Sequence, residues 1–261
     1  MTSVLSVDRS QLPAEIAALT DGYAFEQITL GRSGNAVYRL SAPGRPTLFL
    51  KAGAGEQRAA LADEAARLRW LAGRLPAPEL VAEVERGGGV FLLMTAVPGV
   101  DCSDRSHAAD VPAMVRLLAE GLRLIHAAPL DDCPFDHTPR AELERARRRL
   151  ELGLVDAGAF DADPAEVFEE LLRLEPREPD IVLTHGDYCL PNVLIDGGRL
   201  SGFCDLGRLG AGDRYRDLAL AARSLAYNWG AEHVPLLFEA YGLPQPDQRR
   251  LEFFRLLDEF C

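Results

Sequence analysis

The apolar residues of this chain change their spacing once, at Pro98-Gly99. Before that point FEQITL and NAVYRL alternate with the period of two that lets a strand bury one face, PTLFLK follows a further turn, and LVAEVE with VFLLMTAV reads as a second hairpin. GRSGN, Ala42 to Arg45 and Gly87 to Gly89 supply turns between them, so five antiparallel strands are expected. One helix interrupts the set: Leu61, Ala65, Leu68 and Leu71 recur at helical spacing, and Gly73 and Pro76 end it. Beyond Pro98 the three-and-four spacing takes over, over Val111 to Ala127, Ala141 to Leu152, Pro164 to Leu174, Arg216 to Trp229, Glu232 to Tyr241 and Asp247 to Phe260. Only DIVLT, VLID and LSGFCDL read as short strands there, separated by loops rich in Gly, Asp, Pro and Asn. The expected architecture is α+β, with a small antiparallel-sheet lobe over residues 1–96 and a larger, mainly helical lobe over 97–261. Clefts between such lobes are common nucleotide sites.

Charge follows the same division. Residues 1–96 carry 10 Lys+Arg against 10 Asp+Glu, whereas residues 97–261 carry 18 against 30, so the whole net charge of -12 sits in the second part. Such a surface repels nucleic acid and attracts cations, besides aiding solubility. Neither an N-terminal leader pattern nor an apolar run long enough to span a bilayer is present, which predicts a soluble, cytoplasmic protein without a membrane partner. Five cysteines without a CxxC pair read as free thiols, leaving a monomer or a weak thiol-linked dimer as the expected state. Only one of the 28 basic residues is a lysine, Lys51. A lone lysine among arginines marks a place where a compact ammonium is wanted and a guanidinium fork is not.

Chemistry concentrates in LTHGDYCLPNVLI, Leu183 to Ile195, and in FCDLG eight residues later. Asp187, Asn192 and Asp205 lie in loops at strand ends, where three oxygen-bearing side chains can converge. Phosphoryl transfer calls for such a set, because its loose transition state leaves a protein mainly positioning and charge neutralisation to perform. Hard oxygen donors also suit Mg²⁺. A zinc site built on His185, Cys189 and Cys204 lacks a fourth ligand at finger spacing.

HGDYCLPN followed by DLG resembles the catalytic and metal loops of the protein kinase-like fold, in the His-Gly-Asp form of the aminoglycoside phosphotransferases. The resemblance implies a bilobal kinase-like fold and use of ATP, with GTP not excluded, together with Mg²⁺. It makes Asp187 the catalytic aspartate, Asn192 and Asp205 the metal ligands, and His185 a brace for the loop. Lys51 would hold the α- and β-phosphates and pair with Glu64 thirteen residues on, with Glu56 a weaker competitor. Ser33, in the turn from Gly31 to Asn35, would cover the β-phosphate. Phe49 would stack on adenine, and the Thr95 carbonyl and Val97 amide would read its edge. Arg208 matches an active-site arginine beside the metal loop.

The chain ends in LLDEFC, similar to the LLDEF ending of aminoglycoside 3'-phosphotransferases. By that likeness Asp258, Glu259, the Cys261 carboxylate and Asp161 would bind the ammonium groups of a cationic aminoglycoside of the kanamycin or neomycin type, giving antibiotic resistance. Gly158, Ala159, Tyr227 and Cys261 depart from residues found in some members and bear on which drugs are accepted. AYNWG, at Ala226 to Gly230, resembles streptomycin 3''-phosphotransferases, which lack that ending. Choline, homoserine and fructosamine kinases share the fold and the His-Gly-Asp loop. An inactive kinase-like binding module is the reading from another class, and intact Lys51, Asp187, Asn192 and Asp205 oppose it.

Overall fold

The computed structural model describes residues 12–28, 36–156, 158, 160 and 162–260. The chain divides into two compact units, one from residues 1–98 with 203–207, the other from 99–202 with 208–261.

In the first unit β1 (Ala24–Ile28), β2 (Ala36–Ser41), β3 (Leu48–Ala54), β4 (Leu80–Arg86) and β5 (Gly89–Thr95) form an antiparallel sheet of order β1-β2-β3-β5-β4. Alternation on the central β3 sends Leu48, Leu50 and Ala52 into the core and leaves Phe49 and Lys51 together on the other face. The short helix α1 (Ala14–Leu19), which the spacing does not announce, adds Ile16 to the core formed by Tyr38, Leu40, Leu50 and Leu93. Six residues are too few to display a periodicity. α2 (Glu56–Leu71) buries Leu61, Ala65, Leu68 and Leu71, as their spacing predicts, and buries Glu64 beside them.

The second unit is built mainly from helices. α3 (Val111–His126) buries Met114, Val115, Leu118, Leu122 and Ile125, and Asp110 caps it by accepting from the Ala113 amide. α4 (Pro139–Glu151), α5 (Pro164–Leu174), α6 (Tyr215–Trp229), α7 (Val234–Tyr241) and α8 (Gln248–Asp258) follow. Most ends agree with the spacing to within two residues. The helix expected from Glu232 starts instead at Val234, after a single 3-10 turn over Ala231–His233. Pro235 accounts for this, since a residue without an N–H is accommodated only in a helix's first turn.

The three short strands expected in this part form as β8 (Ile181–Thr184), β9 (Val193–Asp196) and β10 (Arg199–Phe203). Three further strands, β6 (Val100–Asp101), β7 (Asp136–His137) and β11 (Gly210–Asp213), complete two three-stranded sheets of order β10-β9-β6 and β7-β11-β8. β11 has the sequence GAGD and carries no apolar pattern because there is no room for one: a Cβ on Gly210 would collide with Phe135 and His137, and one on Gly212 with Thr184. Among the described residues no helix is long and apolar enough to cross a membrane. Cys102, Cys133, Cys189 and Cys204 are free thiols, as expected.

Leu50 is fully buried at the centre of the first sheet, directly before Lys51. Leu50→Ala is expected to destabilise the protein by about 2–5 kcal/mol through lost burial and a residual cavity, read as a lower urea midpoint at unchanged slope.

Candidate active site

Two clusters of the expected residues form, one in each unit. In the first, β3 presents Lys51 and α2 presents Glu64, and the Lys51 ammonium donates to both Glu64 carboxylate oxygens at 2.7 and 2.9 Å. A third bond, of 3.1 Å, runs from Lys51 Nζ to Asp205 Oδ1. Burial pushes the Lys51 ammonium down, but Glu64 and Asp205 outweigh it and hold its pKa above the ordinary lysine value. An ammonium suits this place because its three donors radiate from one atom, which lets it serve two carboxylates at once. Asp205 lies in the left-handed region at φ 56°, a conformation uncommon outside glycine and tolerated by aspartate. Phe203 anchors its segment by donating its amide to the Pro76 carbonyl at 3.0 Å.

In the second unit the His-Gly-Asp loop leaves β8 and runs into a 3-10 turn over Leu190–Asn192. Asn192 donates through Nδ2 to the Asp187 carbonyl at 2.9 Å and to Asp187 Oδ2 at 3.2 Å. With its amide nitrogen so engaged, Oδ1 is the atom left to take a cation. Burial and the neighbouring Asp187 carboxylate push the Cys189 thiol up, so the thiol stays protonated and donates to Asp187 Oδ1 at 3.2 Å. His185 is wholly buried with its ring edge-on to Tyr188, which donates its hydroxyl to the Leu118 carbonyl.

The loop is held by residues that motif reading missed. Asp217, on α6 and fully buried, accepts from the His185 amide at 2.7 Å and the Gly186 amide at 2.9 Å. Burial pushes the Asp217 carboxyl up, yet the hydrogen bond from His126 and the His185 amide hold it below the usual carboxylate range. Arg216 donates through Nε to the Gly186 carbonyl at 3.0 Å and pairs with Glu142 at 3.1 Å. Gly186 itself has φ 82°, and a Cβ there would overlap the Arg208 carbonyl, so no other residue fits. The sequence signal was DRYRD after the short strand: two charged residues on a helix face continued by Leu218, Ala219 and Leu220.

Two of the acids expected to meet ammonium groups, Asp258 and Glu259, already hold arginines. Asp258 pairs with Arg223 at 2.5 Å and with Arg208 at 3.5 Å, and Glu259 lies 3.4 Å from Arg223. Arg223 was not singled out in the sequence, where it is one of 27 arginines without a motif. Phe49, Thr95 and Val97 are each partly buried, and the Thr95 amide donates to the Glu79 carbonyl. Tyr227 is 88% exposed. Ser33 and the Gly31 to Asn35 turn, Asp161 with Ala159, and Cys261 lie outside the described residues, as does the side chain of Glu56.

Fold and loops together define a kinase-like phosphotransferase. The sequence pattern of the phosphotransferase enzyme family matches residues 25–254, and the chain belongs to that family. An aminoglycoside 3'-phosphotransferase of Niallia circulans is 38% identical over 253 residues, covering 95% of this chain and 97% of the relative. The crystal structure of an aminoglycoside-3'-phosphotransferase of type VIII superposes with a TM-score of 0.82 at 32% identity, covering 95% of this chain and 97% of that one. An aminoglycoside phosphotransferase from Streptomyces rimosus, APH(3'')-Id, in complex with ADP and streptomycin, gives a TM-score of 0.79 at 27% identity over 94% and 95%.

Glu142 lies behind this loop, with Arg216 at 3.1 Å and His137 and Arg145 each at 2.5 Å. Burial pushes its carboxyl up, but Arg216, the His137 hydrogen bond and Arg145 hold it far below the carboxylate range. A carboxyl depressed in the folded state contributes stability above its unfolded pKa and loses it as the pH falls through the folded one. Glu142→Gln is therefore expected to destabilise by about 3 kcal/mol at neutral pH. The gap in urea midpoint should close as the pH falls below about 4, and a gap independent of pH would refute the ion-pair account.

Proposed function

We propose that the chain transfers the γ-phosphoryl group of ATP to the 3'-hydroxyl of an aminoglycoside of the kanamycin or neomycin type. The observation that carries this reading is the buried Lys51 ammonium held between Glu64 and Asp205 in a chain whose Asp187 is hydrogen-bonded to Asn192. Lys51, oriented by Glu64, binds the α- and β-phosphates. Phe49, Ser33, Thr95 and Val97 seat the nucleotide. Asp187 accepts the proton of the acceptor hydroxyl as its oxygen bonds to the γ-phosphorus, the bond to the β-γ bridging oxygen breaks, and ADP leaves.

Mg²⁺ fits the donors present, since the Asn192 amide oxygen and the Asp205 carboxylate are both hard oxygen ligands and the Asn192 nitrogen is turned to Asp187. Bound there, the ion would neutralise phosphate charge.

For the acceptor, the acidic second part of the chain supplies the affinity. Asp258 and Glu259, with Asp161, take ammonium groups, and Arg208 and Arg223 hold Asp258 and Glu259 in place until a polycation competes for them. The greater likeness to the 3'-enzyme of type VIII than to the streptomycin-bound neighbour favours the 3'-hydroxyl. A reaction fed by ATP places the protein in the cytoplasm, and the -12 net charge disfavours nucleic acid as a partner.

Expression in a sensitive strain is expected to allow growth on kanamycin and not on streptomycin. Protection against streptomycin alone would move the assignment to the 3''-position, and no protection despite folded protein would remove the aminoglycoside reading. Asp187→Ala should lower kcat by about 10²–10⁴ while leaving the nucleotide Kd nearly unchanged, measured by a coupled ADP assay and by calorimetry.

A further inference from the structure

On the second unit, away from the residues assigned above, a cavity of about 520 Å³ lies among α3, α6, α7 and the start of α8. That is the size of a small-molecule site. Its lining includes Arg123, Arg214, Arg250 and His126 against one carboxylate, Asp180. In a protein of net charge -12 this concentration of guanidinium groups is an inversion of the prevailing sign.

The three arginines are engaged to different degrees. Arg214 is bound to Asp180, with Nε at 2.6 Å and Nη2 at 3.1 Å from its oxygens. Arg250 reaches back to the buried Asp213 at 2.5 Å and lies over the Tyr215 ring, and its Nε is a buried donor without an acceptor among the described residues. Among the described residues Arg123 pairs with no carboxylate; it donates to the Ala240 carbonyl. Asp180 and the buried Asp213 balance two of the three guanidinium groups and leave Arg123 over among the described residues, so the cavity carries a surplus cation matched to an oxyanion.

The same wall is joined to the His-Gly-Asp loop. Arg214 donates through Nη1 to the Tyr241 hydroxyl at 2.9 Å, and that hydroxyl lies 2.8 Å from His126 Nδ1. Asp217 Oδ2 can only accept, so the His126 ring carries its hydrogen on Nε2 and donates it at 3.3 Å, and Nδ1 accepts the hydrogen of the Tyr241 hydroxyl. Asp217 in turn receives the His185 and Gly186 amides. An anion that draws Arg214 from Asp180 therefore pulls on a continuous chain of hydrogen bonds ending at the loop that carries Asp187.

We propose that this cavity is a second ligand site, taking the phosphate group of a small molecule through Arg123, Arg214 and Arg250, and that its occupancy is transmitted through Tyr241, His126 and Asp217 to the His-Gly-Asp loop. The site is independent of the assignment of the phosphoryl acceptor.

Titration of the full chain with inorganic phosphate at constant ionic strength, followed by amide and arginine side-chain NMR, tests it. Saturable shifts are expected at His126, Arg214, Tyr241, Gly242 and the arginine Nε–H groups, with smaller ones at the His185 and Gly186 amides. Replacing Arg123 and Arg214 together by Gln should weaken the affinity at least about tenfold. If that pair fails to fold, the exposed Arg123→Gln alone should still weaken it at least about threefold. Shifts confined to the neighbourhood of Lys51 and Asp205, no saturation, or an affinity untouched by these replacements overturn the site. Tyr241→Phe keeps the binding shifts and should abolish those at His185 and Gly186; their persistence overturns the transmission.

Discussion

A single buried carboxylate sets the geometry on which the chemistry depends. Asp217 has no exposure to solvent, and its two oxygens are taken by the amides of His185 and Gly186 and by the His126 ring. A strand end that turns sharply through a glycine at φ 82° leaves consecutive amides pointing inward, away from any ladder partner. Leaving such donors unpaired in the interior costs about 1–3 kcal/mol each, so the loop can hold its shape only with an acceptor behind it. Arg216 completes the support from the same helix by binding the Gly186 carbonyl, and Glu142 fixes Arg216. One turn of α6 thus braces the peptide groups on both sides of Gly186, and the direction of Asp187 follows from that.

The two clusters of polar residues use opposite electrostatic designs. Around Lys51 one cation serves two carboxylates, which leaves a net negative centre beside a fixed ammonium. Near the chain end two arginines hold two acids, and all four side chains keep part of their surface in water. In the first arrangement the Lys51–Glu64 pair is largely shielded from water, which suits it to orienting one group. The second is open to exchange, since partly solvated ion pairs contribute little individually and can be replaced by another cation at small cost.

Much of the fold was legible because burial imposes a period. The strand pattern predicted the five strands of the first sheet, with Lys51 on the third, and the spacing in α2 predicted its apolar stripe. β11 was invisible for the converse reason: its glycines lie where neighbouring atoms exclude side chains, so it has no pattern to read. The start of α7 followed a local rule, the proline, that overrode the start expected from the apolar spacing alone. Motif residues such as Asp187, Asn192 and Asp205 stood out by type and position in strand-end loops. Asp217 and Arg223 did not, because a charged residue on a helix looks the same in sequence whether it faces water or a buried amide.

By itself, then, the sequence determined which segments form most of the strands and helices, where the character of the chain changes, and which loops carry oxygen-bearing side chains, all of which are local consequences of side-chain type and spacing. Only the tertiary structure decided that Asp217 lies under the His-Gly-Asp loop, that Arg223 meets Asp258, and that three arginines from three separate helices or their edges line one cavity. Those pairings join residues more than thirty positions apart, and no local pattern encodes them; they are selected by the need to give every buried charge and amide a partner once the helices have packed.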